Sequence, residues 1–312
     1  MTTIFHHPDM EKHIKEIGKS HVECTFRTKV ISEQLKKDYE GKCSFKLCRP
    51  ATTEELEVCH GNDYIAKVQN SLGDLTEPDP DMYYNDHTYN SALLASGGAI
   101  QLMEEILDPE SDTKSGFAVV RPPGHHAFSN KCSGFCYFNN ALVGAFNILK
   151  KDPTKKILVI DWDVHYHLGS EEIVLNSGVS SDNLVVYSIH RYDNGRFYPG
   201  SKNGRTGVFH EGRIINDGLN EIGTDKIYLE KITNIVNLFK EDKPDLLVIS
   251  CGFDAAKGDP LGGFKITPEG YKNMVKQLKT LTKNIAIVLE GGYNLQIIPK
   301  CASKCVEGLL EE

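Results

Sequence analysis

Five short apolar runs punctuate the chain after residue 110: Gly116–Val120, Ile157–Ile160, Leu184–Ile189, Leu246–Ser250 and Ile285–Leu289. They are continuous rather than alternating, the pattern of strands covered on both faces. Helically spaced segments separate them, near Asn139–Lys150, Lys226–Phe239, Thr267–Lys283 and Ile297–Leu310. A further helix is expected over Thr88–Leu107. Strand and helix in alternation predict an α/β fold, with a mostly parallel sheet flanked by helices. Upstream, residues 10–60 are charged and weakly periodic. Leu56–Leu72 reads as a helix, with apolar positions at Leu56, Val58, Tyr64, Ile65, Val68 and Leu72. Gly73–Asp86 reads as a loop from its Pro, Gly and Asp. No linker or repeat follows residue 90. One domain spanning residues 1–312 is expected, its first 90 residues packed on the flank of the sheet.

Ligands of open parallel sheets sit beyond the carboxyl ends of the strands. Polar chemistry follows every run here. His125 and His126 come after the first, and Asp161, Asp163 and His165 after the second. H-R-Y-D-N-G-R-F-Y-P-G follows the third, Asp254 the fourth, and Glu290 and Tyr293 the fifth. Asp163 and His165 are two residues apart, so an extended backbone points them to one side. With Asp254 they form a three-ligand set that leaves a coordination position open, as catalytic zinc sites do. His125 and His126 are candidates for general acid and base, and Tyr293 for an oxyanion donor. Singly, each has an ordinary reading as a cap, a loop histidine or a packed tyrosine. Together they predict metal-assisted hydrolysis of a carbonyl compound, most simply an amide.

Composition narrows the partners. The net charge is −8 with no long basic block, which argues against nucleic acid and fits a Lys-rich protein tail. The nine cysteines are odd in number and contain no C-x-x-C pair. Together with an N-terminus lacking an apolar signal core, this predicts reduced thiols and an intracellular protein, nuclear or cytoplasmic. No apolar run approaches the roughly 20 residues of a membrane span.

The motifs resemble the zinc-dependent histone deacetylase family, and its class II branch more closely. The segments are R-P-P-G-H-H-A (121–127), G-F-C-Y-F-N-N (134–140), D-W-D-V-H (161–165), S-I-H-R-Y-D-N-G-R-F-Y-P-G (188–200), G-F-D-A-A-K-G-D-P-L-G-G (252–263) and L-E-G-G-Y-N-L (289–295). The resemblance implies an arginase/deacetylase-like fold and deacetylation of acetyl-lysine in proteins, histone or not. It makes Asp163, His165 and Asp254 the zinc ligands. It makes His125 and His126 the tandem histidines, with Asp161 behind His125. Phe135 and Tyr198 would wall a tunnel for the lysine stem, the Gly134 carbonyl would accept from the substrate amide, and Tyr293 would polarise the acetyl carbonyl. A structural potassium or sodium ion would use Asp161, Ser188 and the backbone at Asp163, His165 and Ile189. Polyamine-selective relatives carry an acid where this chain has Leu261, so peptidyl substrates are expected over acetylpolyamines. Corepressor-type partners are compatible with the family.

The chain also departs from the pattern. Relatives usually continue D-V-H with H-G-N-G or H-G-D-G, whereas here Tyr166-His167-Leu168-Gly169 follows. Leu168 therefore stands where a polar partner of His126 is expected. Compensation by His167 or Glu171 is one expectation, and a low-activity acyl-lysine binder is another. His13 falls near the position of an arginine that lines an internal acetate channel in relatives. Residues 200–212 differ from the usual Gly-rich loop.

Overall fold

The computed structural model describes residues 1–15, 20–70 and 81–311. Leu72 and most of the expected 73–86 loop lie outside these. Nine strands occur among the described residues: β1 (Thr2–His6), β2 (Ser44–Leu47), β3 (Ser115–Ala118), β4 (Ile157–Asp161), β5 (Leu184–Arg191), β6 (Gly207–Phe209), β7 (Ile214–Leu219), β8 (Leu246–Cys251) and β9 (Ile285–Leu289). They form one sheet in the order β2-β1-β3-β9-β8-β4-β5-β7-β6. Every pairing is parallel except β6 with β7. The helices are α1 (Phe26–Tyr39), α2 (Thr53–Leu56), α3 (Asn62–Asn70), α4 (Thr88–Leu107), α5 (Asn140–Lys151), α6 (Leu168–Ser177), α7 (Asp225–Phe239), α8 (Pro268–Leu278) and α9 (Ile298–Leu310).

The continuous apolar runs have the predicted cause. Along β9, Ile285, Ile287 and Leu289 join one apolar cluster with α1, α7, α8 and α9, while Ala286 and Val288 join the other with α3, α4 and α5. Successive side chains point to opposite faces, and both faces are covered. Burying a side chain of this kind stabilises the fold by about 1.5–3 kcal/mol.

Three expectations need correction. The first 90 residues do not merely flank the sheet, since β1 and β2 extend it beyond β3. Their run is masked by Thr2 and Thr3, whose hydroxyls pair with those of Ser115 (3.0 Å) and Thr113 (2.9 Å). The single helix expected from Leu56 is two, α2 and α3. Between them the chain turns to meet the loop before α5. The Gly61 amide donates to Ser129 O at 3.0 Å, and the His60 Nδ1–H donates to Phe128 O at 3.0 Å. The helix expected to reach Lys283 ends at Leu278, where the Thr280 hydroxyl takes up the Gln277 carbonyl at 2.7 Å.

His60 also makes the fold sensitive to acid. The Asn139 amide donates to its Nε2 at 3.0 Å, so the ring is held neutral. Burial pushes its pKa down to about 4. A histidine with a depressed folded pKa contributes its full stability above the unfolded value near 6.5 and loses it as pH falls toward 4. Between pH 7 and pH 5 this one group should cost about 2 kcal/mol of unfolding free energy. Chemical denaturation of wild type and His60→Asn at both pH values measures it. The variant should lose about 2 kcal/mol less than wild type over that interval, and equal losses would contradict the assignment.

Candidate active site

Five adjacent strands, β3-β9-β8-β4-β5, deliver the chemistry to one edge of the sheet. Asp163 and His165 follow β4, and Asp254 follows its neighbour β8. Their ligand atoms all lie within 4.8 Å of one another. His165 Nδ1 stands 3.1 Å from Asp163 Oδ1 and 3.1 Å from Asp254 Oδ2. Backbone amides fix the carboxylates: His165 N and Gly291 N donate to Asp163, and Val164 N donates to Asp254, each at 2.9 Å.

The donor set fits a divalent cation. Asp163 and Asp254 are fully buried and share one imidazole. Burial, then the Asp163 charge, pushes the Asp254 carboxyl up to about 7. His165 is held up at about 9, its burial outweighed by hydrogen bonds to the two carboxylates. Two buried acids around one ring nitrogen have a deficit of positive charge, which a metal ion supplies. The backbone leaves space for this arrangement. A Cβ on Gly252 would lie 2.2 Å from Asp163 Oδ2, and one on Gly291 2.3 Å from Asp254 Oδ2.

The tandem histidines differ. His125 Nδ1 pairs with Asp161 Oδ2 at 3.0 Å, and its Nε2 is 3.6 Å from Asp163 Oδ1. Burial opposes its charge, but Asp163 and Asp161 together hold its pKa well above 6.5. His126 lines the cavity. Burial, then the charges of His125 and His165, drives its pKa well below 6.5. Leu168 offers it no acceptor, and among the described residues no group hydrogen-bonds to the His126 ring. The expected compensation does not occur. His167 Nε2 pairs with Asn216 Oδ1 at 3.1 Å, and Glu171 accepts from His210 Nε2 at 3.1 Å. Both side chains are engaged by β7 and the loop before it.

A cavity of about 500 Å³ opens above these groups, lined by His126, Gly134, Phe135, His165, Tyr198 and Tyr293 among others. Phe135 meets Tyr293 edge-on at 5.9 Å, and Tyr198 meets His126 edge-on at 5.2 Å. Leu261 stands at the same cavity, 36% exposed. The Gly134 carbonyl accepts from Cys136 Sγ at 3.3 Å. Burial keeps the Tyr293 phenol well above 10 despite Arg27, so it remains a neutral O–H donor. Asp161 and Ser188 are register partners on β4 and β5, and the Ser188 hydroxyl pairs with His190 Nδ1 at 2.8 Å. All nine cysteines are free. Among the described residues no helix is long and apolar enough to cross a membrane.

Several participants escaped sequence reasoning. Asp259 accepts from Tyr293 N at 2.7 Å and from Leu261 N at 2.9 Å, so it fixes both residues. The arginine beside the Gly291-Gly292 turn is Arg27, not a residue at the His13 position. Its Nε donates to Gly292 O at 2.6 Å and its guanidinium lies 5.0 Å from the Tyr293 ring centre. His13 instead stacks on Tyr83 at 4.4 Å. Glu23 joins Arg27 (3.0 Å) to Arg121 (2.6 Å), all fully buried. The four-residue separation of Glu23 and Arg27 in H-V-E-C-T-F-R was the available signal, and it points only to their local ion pair.

A histone deacetylase domain model matches residues 21–309. Histone deacetylase 18 of Arabidopsis thaliana is 36% identical over 97% of this chain, which spans 46% of that relative. Histone deacetylase HDA1 of Candida albicans is 36% identical over 98% of this chain, which spans 38% of it. The chain thus corresponds to less than half of either relative. A crystal structure of the HDA15 HD domain superimposes with a TM-score of 0.90 at 33% identity, covering all of this chain and 91% of that one. On the family match, the sequence identity and the shared fold, the chain belongs to the histone deacetylase family.

Proposed function

We propose that residues 1–312 form one catalytic domain that hydrolyses the amide of acetyl-lysine in proteins, with zinc held by Asp163, His165 and Asp254. The observation that carries this reading is the three-ligand cluster whose His165 lines an aromatic-walled cavity. Zinc bound there supplies Lewis acidity toward a carbonyl oxygen and toward water. The other steps belong to side chains. Phe135 and Tyr198 flank the lysine methylenes, which lose water without forming hydrogen bonds. The Gly134 carbonyl accepts from the substrate amide with its remaining lone pair. The Tyr293 hydroxyl donates to the acetyl oxygen and strengthens as negative charge develops there. Neutral His126, facing the cavity, takes a proton. His126 then passes that proton to the departing amine, while His125, fixed by Asp161, holds positive charge nearby. A potassium or sodium ion at Asp161, Ser188 and the neighbouring backbone carbonyls would neutralise the buried Asp161 charge.

Leu261 offers no charge to a second ammonium group, which favours peptidyl lysine over acetylpolyamines. The acidic net charge suits Lys-rich tails and disfavours nucleic acid. We assign the chain to class II on its H-R-Y-D and L-E-G-G-Y-N-L segments, and to the nucleus or cytoplasm. Parallel kinetics on an acetyl-lysine peptide and acetylspermidine test the substrate class. Faster turnover of the peptide supports the reading, and faster turnover of the polyamine overturns it.

Among the described residues the His126 ring has no hydrogen-bond partner, which favours a second reading, an acyl-lysine binder of low turnover. Leu168→Asn separates the two. An acceptor at this position orients the ring, and partners of this kind change activity by about 10–100-fold. The variant should raise kcat by about tenfold with KM little changed. A wild type that binds a hydroxamate but releases no acetate, unimproved by Leu168→Asn, would favour the binder.

A further inference from the structure

Glu290 directly follows β9 and precedes the Gly291-Gly292 turn, and none of the steps above uses it. Its side chain is fully buried. Glu290 Oε2 accepts from Gly124 N at 2.6 Å and from His125 N at 3.1 Å, and Oε1 accepts from the Ser250 hydroxyl at 2.8 Å. We infer that Glu290 is the positioning residue for the catalytic histidines, setting their backbone from a neighbouring strand. The inference rests on the lysine deacetylase reading.

The segment after β3 needs such a residue. Pro122 and Pro123 carry no N–H, so Gly124 and His125 are the first donors beyond Arg121. No strand pairs with them there. Buried amides without acceptors are costly, about 1–3 kcal/mol each. A single carboxylate oxygen serves both. The opposite side of the loop is blocked, because a Cβ on Gly124 would lie 2.5 Å from Asn140 N. Gly124 is therefore confined between the start of α5 and the Glu290 carboxylate. The His125 carbonyl accepts from Ser170 N at 3.1 Å, so both of its backbone polar groups are tied to other elements. Glu290 is itself held: its amide donates to Cys251 O at 2.9 Å, and its carbonyl accepts from Arg27 Nη2. The rigid edge formed by β8 and β9 thus sets the height of the His125 and His126 rings over the metal ligands.

Glutamine can reproduce these contacts, with its oxygen toward the two amides and its NH2 toward the Ser250 oxygen. Alanine cannot. Amide hydrogen exchange and steady-state kinetics of wild type, Glu290→Ala and Glu290→Gln test the inference, with bound zinc measured on each. In wild type, the Gly124 and His125 amides should exchange slowly. Glu290→Ala should speed their exchange and lower kcat by about 100-fold, with KM within about threefold and zinc unchanged; Glu290→Gln should recover kcat to within about fivefold of wild type. Wild-type kcat in Glu290→Ala would overturn the inference, as would a loss in Glu290→Gln as deep as in Glu290→Ala. If Glu290→Ala does not fold, fast exchange of the two amides in wild type, or a loss of about 100-fold in Glu290→Gln, overturns it. A wild type without turnover would instead overturn the deacetylase reading, while the exchange data still judge the placement of Glu290.

Discussion

Tyr293→Phe should lower kcat for an acetyl-lysine peptide by about 10²–10³-fold, with peptide affinity and bound zinc near wild-type levels. The substitution removes one oxygen from a residue held on several sides. Asp259 fixes its amide, Phe135 meets its ring, and Arg27 lies 5.0 Å from the ring centre. Phenylalanine can occupy the same position, so the loss isolates the O–H. In the proposed reaction the charge that this O–H meets develops only during turnover, and donors of this kind act on the transition state more than on the bound substrate. Steady-state kinetics with a fluorescent acetyl-lysine peptide separate kcat from KM. A loss confined to KM would mean that Tyr293 only helps bind the substrate.

Asp254→Asn should reduce acetate release to background and remove most of the bound zinc. Asparagine can keep the 2.9 Å bond from Val164 N to the Oδ1 position. Its NH2 then points toward His165 Nδ1, where a ligand lone pair is required. A zinc site of this kind has three protein ligands, and losing one is severe. The metal-free proteins should behave differently. Asp254 is raised to about 7 by burial and by Asp163, so its charge opposes folding when no metal is bound. A raised carboxyl pKa lowers stability as pH rises above the unfolded value near 4. Metal-free Asp254→Asn should therefore be at least as stable as metal-free wild type at pH 8. Thermal melts of both proteins in chelator, with metal analysis, check the pair of statements. A variant that keeps stoichiometric zinc would contradict the ligand assignment.

The parts of the fold legible in the sequence were those buried on both faces. β9, β8 and β4 are apolar throughout, or nearly so, and were found within a residue of their ends. β7 was missed because Asn216 and Asp217 interrupt its run. Both are buried and engaged, Asn216 with His167 and Asp217 with Tyr187 at 2.6 Å. α1 was missed because Arg27, a charged residue, lies on its inner face and is neutralised by Glu23. The site followed the same division. Residues directly after strand runs could be read together because parallel strands share one functional edge. Glu23 and Asp259 could not, since their role depends on partners such as Arg121 and Tyr293 that only the fold brings near. The Leu168 departure was legible, but its outcome was not. His167 and Glu171 lie on the adjacent turn, yet their hydrogen bonds go to Asn216 of β7 and to His210 in the loop before it.

Acetyl-lysine hydrolysis by this chain should depend on a metal held by Asp163, His165 and Asp254. Acetate release from an acetyl-lysine peptide, followed during zinc titration of chelator-stripped protein with bound metal measured on the same sample, tests it most directly. Turnover should be absent in the stripped protein and should rise in proportion to bound zinc, saturating at about one ion per chain. Turnover that survives stripping, or a zinc-loaded protein that releases no acetate, would contradict the claim.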